Sequence, residues 1–343
     1  MNPFSLRFRS ILPGFAIVAG GLLLLSGCKP KGESSRDGGS GRPTTIQNKG
    51  SDTMVNVAQV WAENYKKAHP HVDVEVSGGG SGVGIAALIR GTIDLASASR
   101  DMKPEEKAQA RKNTGKTPQE FVVGYDALAV YVHQSNPLNE ITNEKLAGIF
   151  AEGGTITQWS ALGIPPPGGQ DTIVRVSRQS SSGTYEFFRE HVLDKKDFKL
   201  GSRDMNGSKE VVELVATTPT AIGYSGLGYN EPGKVKMLKV SPKAGMPAIA
   251  PSVETTLTKE YPIARPLLLY TLGEPTAIVG DHVDQLEAGF LRQALEIIAL
   301  KLVRALGVDG AFACEGQRLG ADAHTLWLAR GEMHLDAALA WVV

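Results

Sequence analysis

Residues 72–100 read VDVEVSGGGSGVGIAALIRGTIDLASASR, and this stretch decides the fold. Val72, Val74 and Val76 alternate with Asp73 and Glu75, the period-two pattern of a strand. Gly78, Gly79 and Gly80 end that pattern, a helical run follows over 85–90, and a second compact strand reads over 93–96. Strand, glycine turn, helix and strand within roughly thirty residues make the unit of a largely parallel sheet.

Working outward, residues 52–68 predict a helix with Val57, Val60, Trp61 and Tyr65 along one face, and Pro104, Glu105 and Glu106 open another. A second series starts with a long β-type run over 121–132. It continues through a helix over 143–150, a proline turn over 165–167, a strand over 173–176 and a helix over 184–192, and another strand reads over 261–272. Two α/β series joined by β-type connectors imply an α/β fold of two lobes with a cleft between them.

Composition narrows the function. The 343 residues are 42% hydrophobic and 21% charged, a globular balance, and the 36 basic and 36 acidic residues cancel. A neutral chain argues against nucleic acid as a partner but is silent on a local charged site. Two cysteines, Cys28 and Cys314, exclude a disulfide scaffold or a Cys-rich metal site. The seven histidines, His69/His71 and His133/His191 among them, lack a metal-ligand spacing, so neither a metal nor another cofactor is expected. A mean hydropathy of −0.11 excludes a multi-span membrane protein.

The N-terminus reads as an address. Arg7 and Arg9 precede an apolar run over 11–25, the layout of an export signal and short for a membrane span. The run ends in Leu25-Ser26-Gly27-Cys28, which resembles the lipobox of bacterial lipoproteins. Residues 1–27 are therefore expected to be a signal peptide and Cys28 to carry lipid. The alternatives are an uncleaved anchor or a secretory peptide with a chance cysteine. Residues 28–43, rich in Gly, Ser and charge, predict a flexible tether to an exported, membrane-anchored domain.

Three corners carry the chemistry: Gly50 to Met54, the glycine run ending at Gly82, and Arg178 to Thr184. Each places glycine and hydroxyl residues where a strand gives way to a helix, whose unpaired N–H groups and positive dipole end favour an anion. Arg178 adds a planar fork of donors suited to an oxyanion. Any one corner alone is equally an ordinary helix cap. Gly79 to Gly84 has the glycine frame of a phosphate-binding P-loop, but Ile85 and Ala86 stand where Lys and Ser/Thr are required. RQSSSGT around Ser182 is not a nucleophile elbow, so no enzyme is predicted.

The segments GSDTM (50–54), SGGGSGVGIAALIRGTIDLASASR (77–100), GYDALAVYVHQSNPLNEIT (124–142), RQSSSGTYEFF (178–188) and AIGYSGLGY (221–229) together resemble the PstS family, the phosphate-binding lipoproteins of bacterial phosphate ABC transporters. The resemblance runs from about Thr44 to Thr276. It implies a two-lobed periplasmic binding protein of type II-like architecture, each lobe a mixed sheet flanked by helices, with phosphate in the cleft and an ABC permease as partner. Lobe 1 would span about 44–125 and 261–276, and lobe 2 about 126–260. The resemblance assigns phosphate contacts to Ser51, Thr53, the Met54 N–H, Ser81, Ser99, Arg178, Ser182, Gly183 and Thr184. Some family members place an aspartate where Ser99 stands, to accept a phosphate proton and reject sulfate. Asp52 is the alternative carboxylate here, or else a cap of its own helix, and Arg100 is either a second site cation or a surface residue. Other readings are a receptor for sulfate or molybdate, or an adhesin or sensor on the same fold.

From Ala277 to Val343 the chain changes character, with a strong excess of Ala and Leu and no Ser, Asn, Pro or Tyr. An added helical module and a shifted reading frame compete as its origin. A helical pattern over 284–306 puts Leu286, Phe290, Ala294, Leu295, Ile298 and Leu302 roughly on one face.

Overall fold

A computed structural model describes residues 44–305. The signal peptide, the tether, lipidation at Cys28 and the chain from 306 onward, Cys314 included, lie outside the described residues.

The elements follow in the order β1 (Thr44–Gly50), α1 (Val55–Ala68), β2 (Val72–Ser77), α2 (Ser81–Ile89), β3 (Leu95–Ala98), α3 (Pro104–Thr114) and β4 (Pro118–His133). Then come β5 (Glu140–Thr142), α4 (Asn143–Phe150), β6 (Val174–Arg178), α5 (Gly183–His191), β7 (Arg203–Met205), α6 (Ser208–Thr217) and β8 (Ala221–Gly226). The described part closes with β9 (Val235–Met237), β10 (Lys239–Ser241), α7 (Val253–Leu257), β11 (Ala264–Leu272) and α8 (Ala277–Ala305). No described helix is long and apolar enough to cross a membrane.

The main sheet runs β2-β1-β3-β11-β4-β8-β6-β7, with β9 also paired to β4. β1, β2 and β3 are parallel, as the opening stretch predicts, and β11 runs antiparallel to β3 and β4. β4 carries the two halves of this sheet in succession. Residues 118–127 pair with β11, and Leu128 to His133 pair with β8 and β9. One long strand thus links two α/β lobes.

Each lobe has a core on both faces of its sheet. In the first, Leu95 and Leu269 pack with Ile46, Tyr65, Val279 and Val283 under α1 and α8, while Ala96, Ala98, Leu268 and Tyr270 pack with Ile85 and Leu88 under α2. Alternate residues of β3 and β11 therefore feed opposite cores, the period-two geometry of strands covered on both sides. In the second, Leu128, Val130 and Val132 join Phe150, Phe187, Phe188 and Trp159, and Ala129 and Tyr131 face Val211, Val212 and Val215. Each fully buried Leu, Val or Phe contributes about 1.5–3 kcal/mol.

Three expectations shift. α2 starts at Ser81 rather than 85, so its first residue carries a site hydroxyl. Val60, assigned to the inner face of α1, is 53% exposed, because Ala58, Ala62 and Tyr65 define that face. On α8 the buried side is Val279, His282, Val283 and Ala294, with Phe290 against Tyr125, while Leu295 is 47% exposed. The helix contacts the first lobe from its first turn, seven residues before the stretch whose pattern announced it.

Candidate functional site

The three corners come together between the lobes. β1 ends at Gly50, and Ser51 turns inward with its N–H on Ser97 O (2.8 Å) and its hydroxyl on Ser99 Oγ (3.0 Å). Ser81 opens α2, and its Oγ accepts the Ser99 N–H (3.0 Å) and lies 3.4 Å from Ser99 Oγ. Ser51, Ser81 and Ser99 are all buried. From the other lobe, Thr184 at the start of α5 brings Oγ1 to 3.1 Å from Thr53 Oγ1.

Glycine makes these approaches possible. Gly80 has φ +98°, open to glycine at little cost, and an added Cβ would lie 2.5 Å from Ser181 O. A Cβ on Gly183 would meet Ser81 Oγ at 2.3 Å and Ser99 Oγ at 2.7 Å. Backbone joins the two loops directly, with the Gly82 N–H donating to Ser181 O (2.9 Å). At the rim, Lys103 Nζ pairs with Glu186 across the cleft at 2.6 Å.

Two buried arginines flank the hydroxyls. Arg178 donates through Nη2 to Asp52 Oδ2 (2.7 Å) and Asn206 O (2.8 Å), through Nη1 to Ser208 Oγ (2.9 Å) and through Nε to Met205 O (3.3 Å). Burial pulls its pKa down from the ordinary value and Asp52 opposes that shift; a guanidinium stays charged regardless. Asp52 also accepts the Gly79 N–H (2.7 Å), and its carbonyl accepts the Tyr229 hydroxyl (2.6 Å) from the second lobe. Burial and the nearby Asp52 charge push the Tyr229 hydroxyl up to about 12, so it remains a donor.

The second arginine, Arg265 on β11, was not foreseen, nor was its partner Asp126 on β4. Arg265 Nη2 and Nε lie 2.9 and 3.2 Å from Asp126 Oδ2, and Asp126 Oδ1 accepts the Leu227 N–H (3.1 Å). Burial raises the pKa of this carboxyl against the pull of Arg265. The signal in the sequence was a charge next to an apolar run in each of two strands, Asp126 before Ala127-Leu128-Ala129-Val130 and Arg265 before Pro266-Leu267-Leu268-Leu269, since buried charges occur almost exclusively in pairs.

Ser51, Thr53, Ser81, Ser99, Gly183, Thr184 and Arg178 thus converge, but two expected contacts are engaged elsewhere. The Met54 N–H donates to Ser51 O (3.0 Å) within the turn. Ser182 Oγ caps α5, accepting from the Thr184 N–H (3.1 Å) and the Tyr185 N–H (3.4 Å), which leaves its hydroxyl proton to donate. Arg100 forks onto both carboxylate oxygens of Glu106 at 2.8 Å, anchoring the start of α3. Asp52 does not cap α1, whose first turn has no side-chain cap. No group of three or more His, Cys, Asp or Glu able to hold a metal ion occurs among the described residues.

A cavity of about 680 Å³ adjoins the site at Thr53, Asp126 and Gly226, lined mainly by apolar residues of α1, α7 and α8. Thr53, Tyr229 and Thr256 bring hydroxyls to its wall, but neither Arg178, Arg265 nor the Ser51, Ser81, Ser99 cluster lines it.

A family model described as a PBP superfamily domain matches residues 36–288. The phosphate-binding protein PstS of Pseudomonas aeruginosa is 32% identical over 75% of this chain and 80% of its own, and that of Staphylococcus epidermidis is 30% identical over 74% and 76%. A putative phosphate ABC transporter substrate-binding protein from Clostridium perfringens, solved with bound phosphate, superposes with a TM-score of 0.61 at 29% identity, covering 75% of this chain and 97% of that one. An ABC-type phosphate transport receptor from Vibrio cholerae gives 0.56 at 26% identity over 74% and 97%. By the family match and by the identity over three quarters of its length, the chain belongs to the PstS family of the PBP superfamily.

Proposed function

We propose that this chain is the phosphate receptor of an ABC transporter, closing its two lobes over inorganic phosphate and delivering it to the permease. The observation that carries the reading is the convergence of the buried Ser51, Ser81, Ser99 and Thr184 hydroxyls and the half-buried Thr53 hydroxyl with Arg178 and Arg265. Aimed hydroxyl donors in a site shielded from water bind a dianion more strongly than the same groups would in solvent. The PstS relatives are named for phosphate rather than for another tetrahedral oxyanion. No chemistry is performed. Ser182 Oγ accepts two N–H bonds as a cap, the opposite of an activated nucleophile.

The lipobox-like ending at Cys28 supports export and a lipid tether on the outer side of the cytoplasmic membrane. Isothermal titration of the full chain in detergent is expected to give saturable one-to-one phosphate binding, and absence of binding would defeat the reading. Both site carboxylates are engaged, Asp52 by Arg178 and Gly79, and Asp126 by Arg265 and Leu227. Sulfate is therefore repelled less than by a free carboxylate, and competing sulfate is expected to displace phosphate within about a hundredfold of phosphate's own affinity.

A further inference from the structure

Resting on the phosphate reading above, we infer that Arg265 is the positioning residue of this site: held by Asp126, it turns one threonine hydroxyl from each lobe into an obligate donor. Arg265 Nη2 lies 3.2 Å from Thr53 Oγ1 and 3.0 Å from Thr184 Oγ1, and Nη1 donates to Ser99 O at 3.2 Å. A guanidinium carries donors and no acceptor. A threonine oxygen bonded to Nη2 therefore accepts there, and its hydroxyl proton is directed away from Arg265. Of the two hydroxyl protons one lies between the threonine oxygens, 3.1 Å apart, and the other is left for an oxyanion, which needs donors alone.

Nη2 itself faces three acceptors, Thr53, Thr184 and Asp126, with two protons. It has none to offer phosphate, so this nitrogen acts through the threonines, while Nη1 gives a proton to Ser99 O. Its pose is over-determined by the Asp126 carboxylate and by the Phe187 ring 5.7 Å from its central carbon. The geometry also couples the lobes. Thr53 precedes α1 and Thr184 opens α5, so the full set of bonds to Nη2 exists when both corners have closed on it.

A double-mutant cycle tests the assignment, read as phosphate affinity by titration and as the thermal midpoint without phosphate. Arg265→Gln is expected to weaken phosphate binding about 100-fold, and Thr184→Val about 10-fold in the wild-type background. In the Arg265→Gln background, Thr184→Val is expected to cost less than about twofold, because its hydroxyl is no longer held as a donor. Arg265→Lys keeps the charge but not the planar fork, and is expected not to restore affinity. If Arg265→Gln does not fold, Asp126→Asn releases the guanidinium and is expected to show the same loss of coupling. Additive losses, or recovery with lysine, would overturn the positioning role while leaving phosphate reception intact. Failure of the wild-type chain to bind phosphate would overturn both.

Discussion

Arg178 Nη2 donates to Asp52 Oδ2 at 2.7 Å, joining the end of β6 in one lobe to the turn before α1 in the other. The pair is nearly dry, with the Arg178 side chain 1% exposed and that of Asp52 15%. Such a pair is costly to break from one side, because the remaining charge stays buried. It also helps set where the guanidinium sits, since Asn206 O shares Nη2 with Asp52 while Ser208 and Met205 hold the other two nitrogens.

Arg178→Ala is therefore expected to weaken phosphate binding by at least about 100-fold. Lysine should not substitute, because an ammonium cannot span Asp52, Ser208 and two carbonyls at once. Titration of both variants checks this; an unchanged affinity in the alanine variant would remove Arg178 from the site.

Gly183 gives a purely steric prediction. Its backbone is helical, so alanine is unstrained there, yet the added Cβ would lie 2.3 Å from Ser81 Oγ and 2.7 Å from Ser99 Oγ. Ser81 Oγ cannot retreat without losing the Ser99 N–H (3.0 Å), nor Ser99 Oγ without losing the Ser51 hydroxyl (3.0 Å). Gly183→Ala is expected to hold the lobes apart and to abolish measurable phosphate binding, with the thermal midpoint little changed. Small-angle scattering with and without phosphate would show the variant failing to compact.

What the sequence disclosed follows from locality. Ser51, Ser81 and Thr184 were legible because a hydroxyl beside a glycine at a strand-to-helix junction is a local pattern with a local reason. Asp126 and Arg265 lie 139 residues apart and pair only after β11 has docked on β4, so neither segment alone states what its charge is for. Arg100 looked like a site cation because of its neighbour Ser99, but Glu106 on the next helix captures it. Val60 and Leu295 show the same limit on helices: periodicity fixes which residues share a face, and the sheet decides which face is covered.

The Lys103 to Glu186 pair at the rim is a closure contact of a weaker kind. Lys103 is 36% exposed, so solvent and salt screen the interaction, and its contribution is expected to stay below about 1 kcal/mol. Lys103→Ala should leave the phosphate on-rate unchanged and raise the off-rate by no more than about fivefold at low salt. The difference should shrink at high salt. Stopped-flow fluorescence measures both rates; an off-rate insensitive to the substitution at low salt would show that the rim plays no part in holding the lobes shut.

His282 provides a pH handle on the seam between α8 and α1. Its ring is buried, packs edge-on against Tyr65 at 4.6 Å, and has no partner at Nδ1. Burial pulls its pKa from 6.5 to about 4, with His69 adding to the shift and Asp281 opposing it. Because the folded value is depressed, the unfolded chain takes up a proton between those limits that the folded chain refuses. The neutral ring's contribution is therefore complete above pH 6.5, is lost as pH falls, and is gone near pH 4. The full loss is about 3 kcal/mol. Thermal midpoints at pH 7.5 and 4.5 should fall roughly 5–10 °C further in the wild type than in His282→Leu, which has no proton to take up. Every other titratable group is common to both proteins, so the difference reports on the imidazole. Equal falls would place the acid sensitivity elsewhere and leave His282 an inert part of the seam.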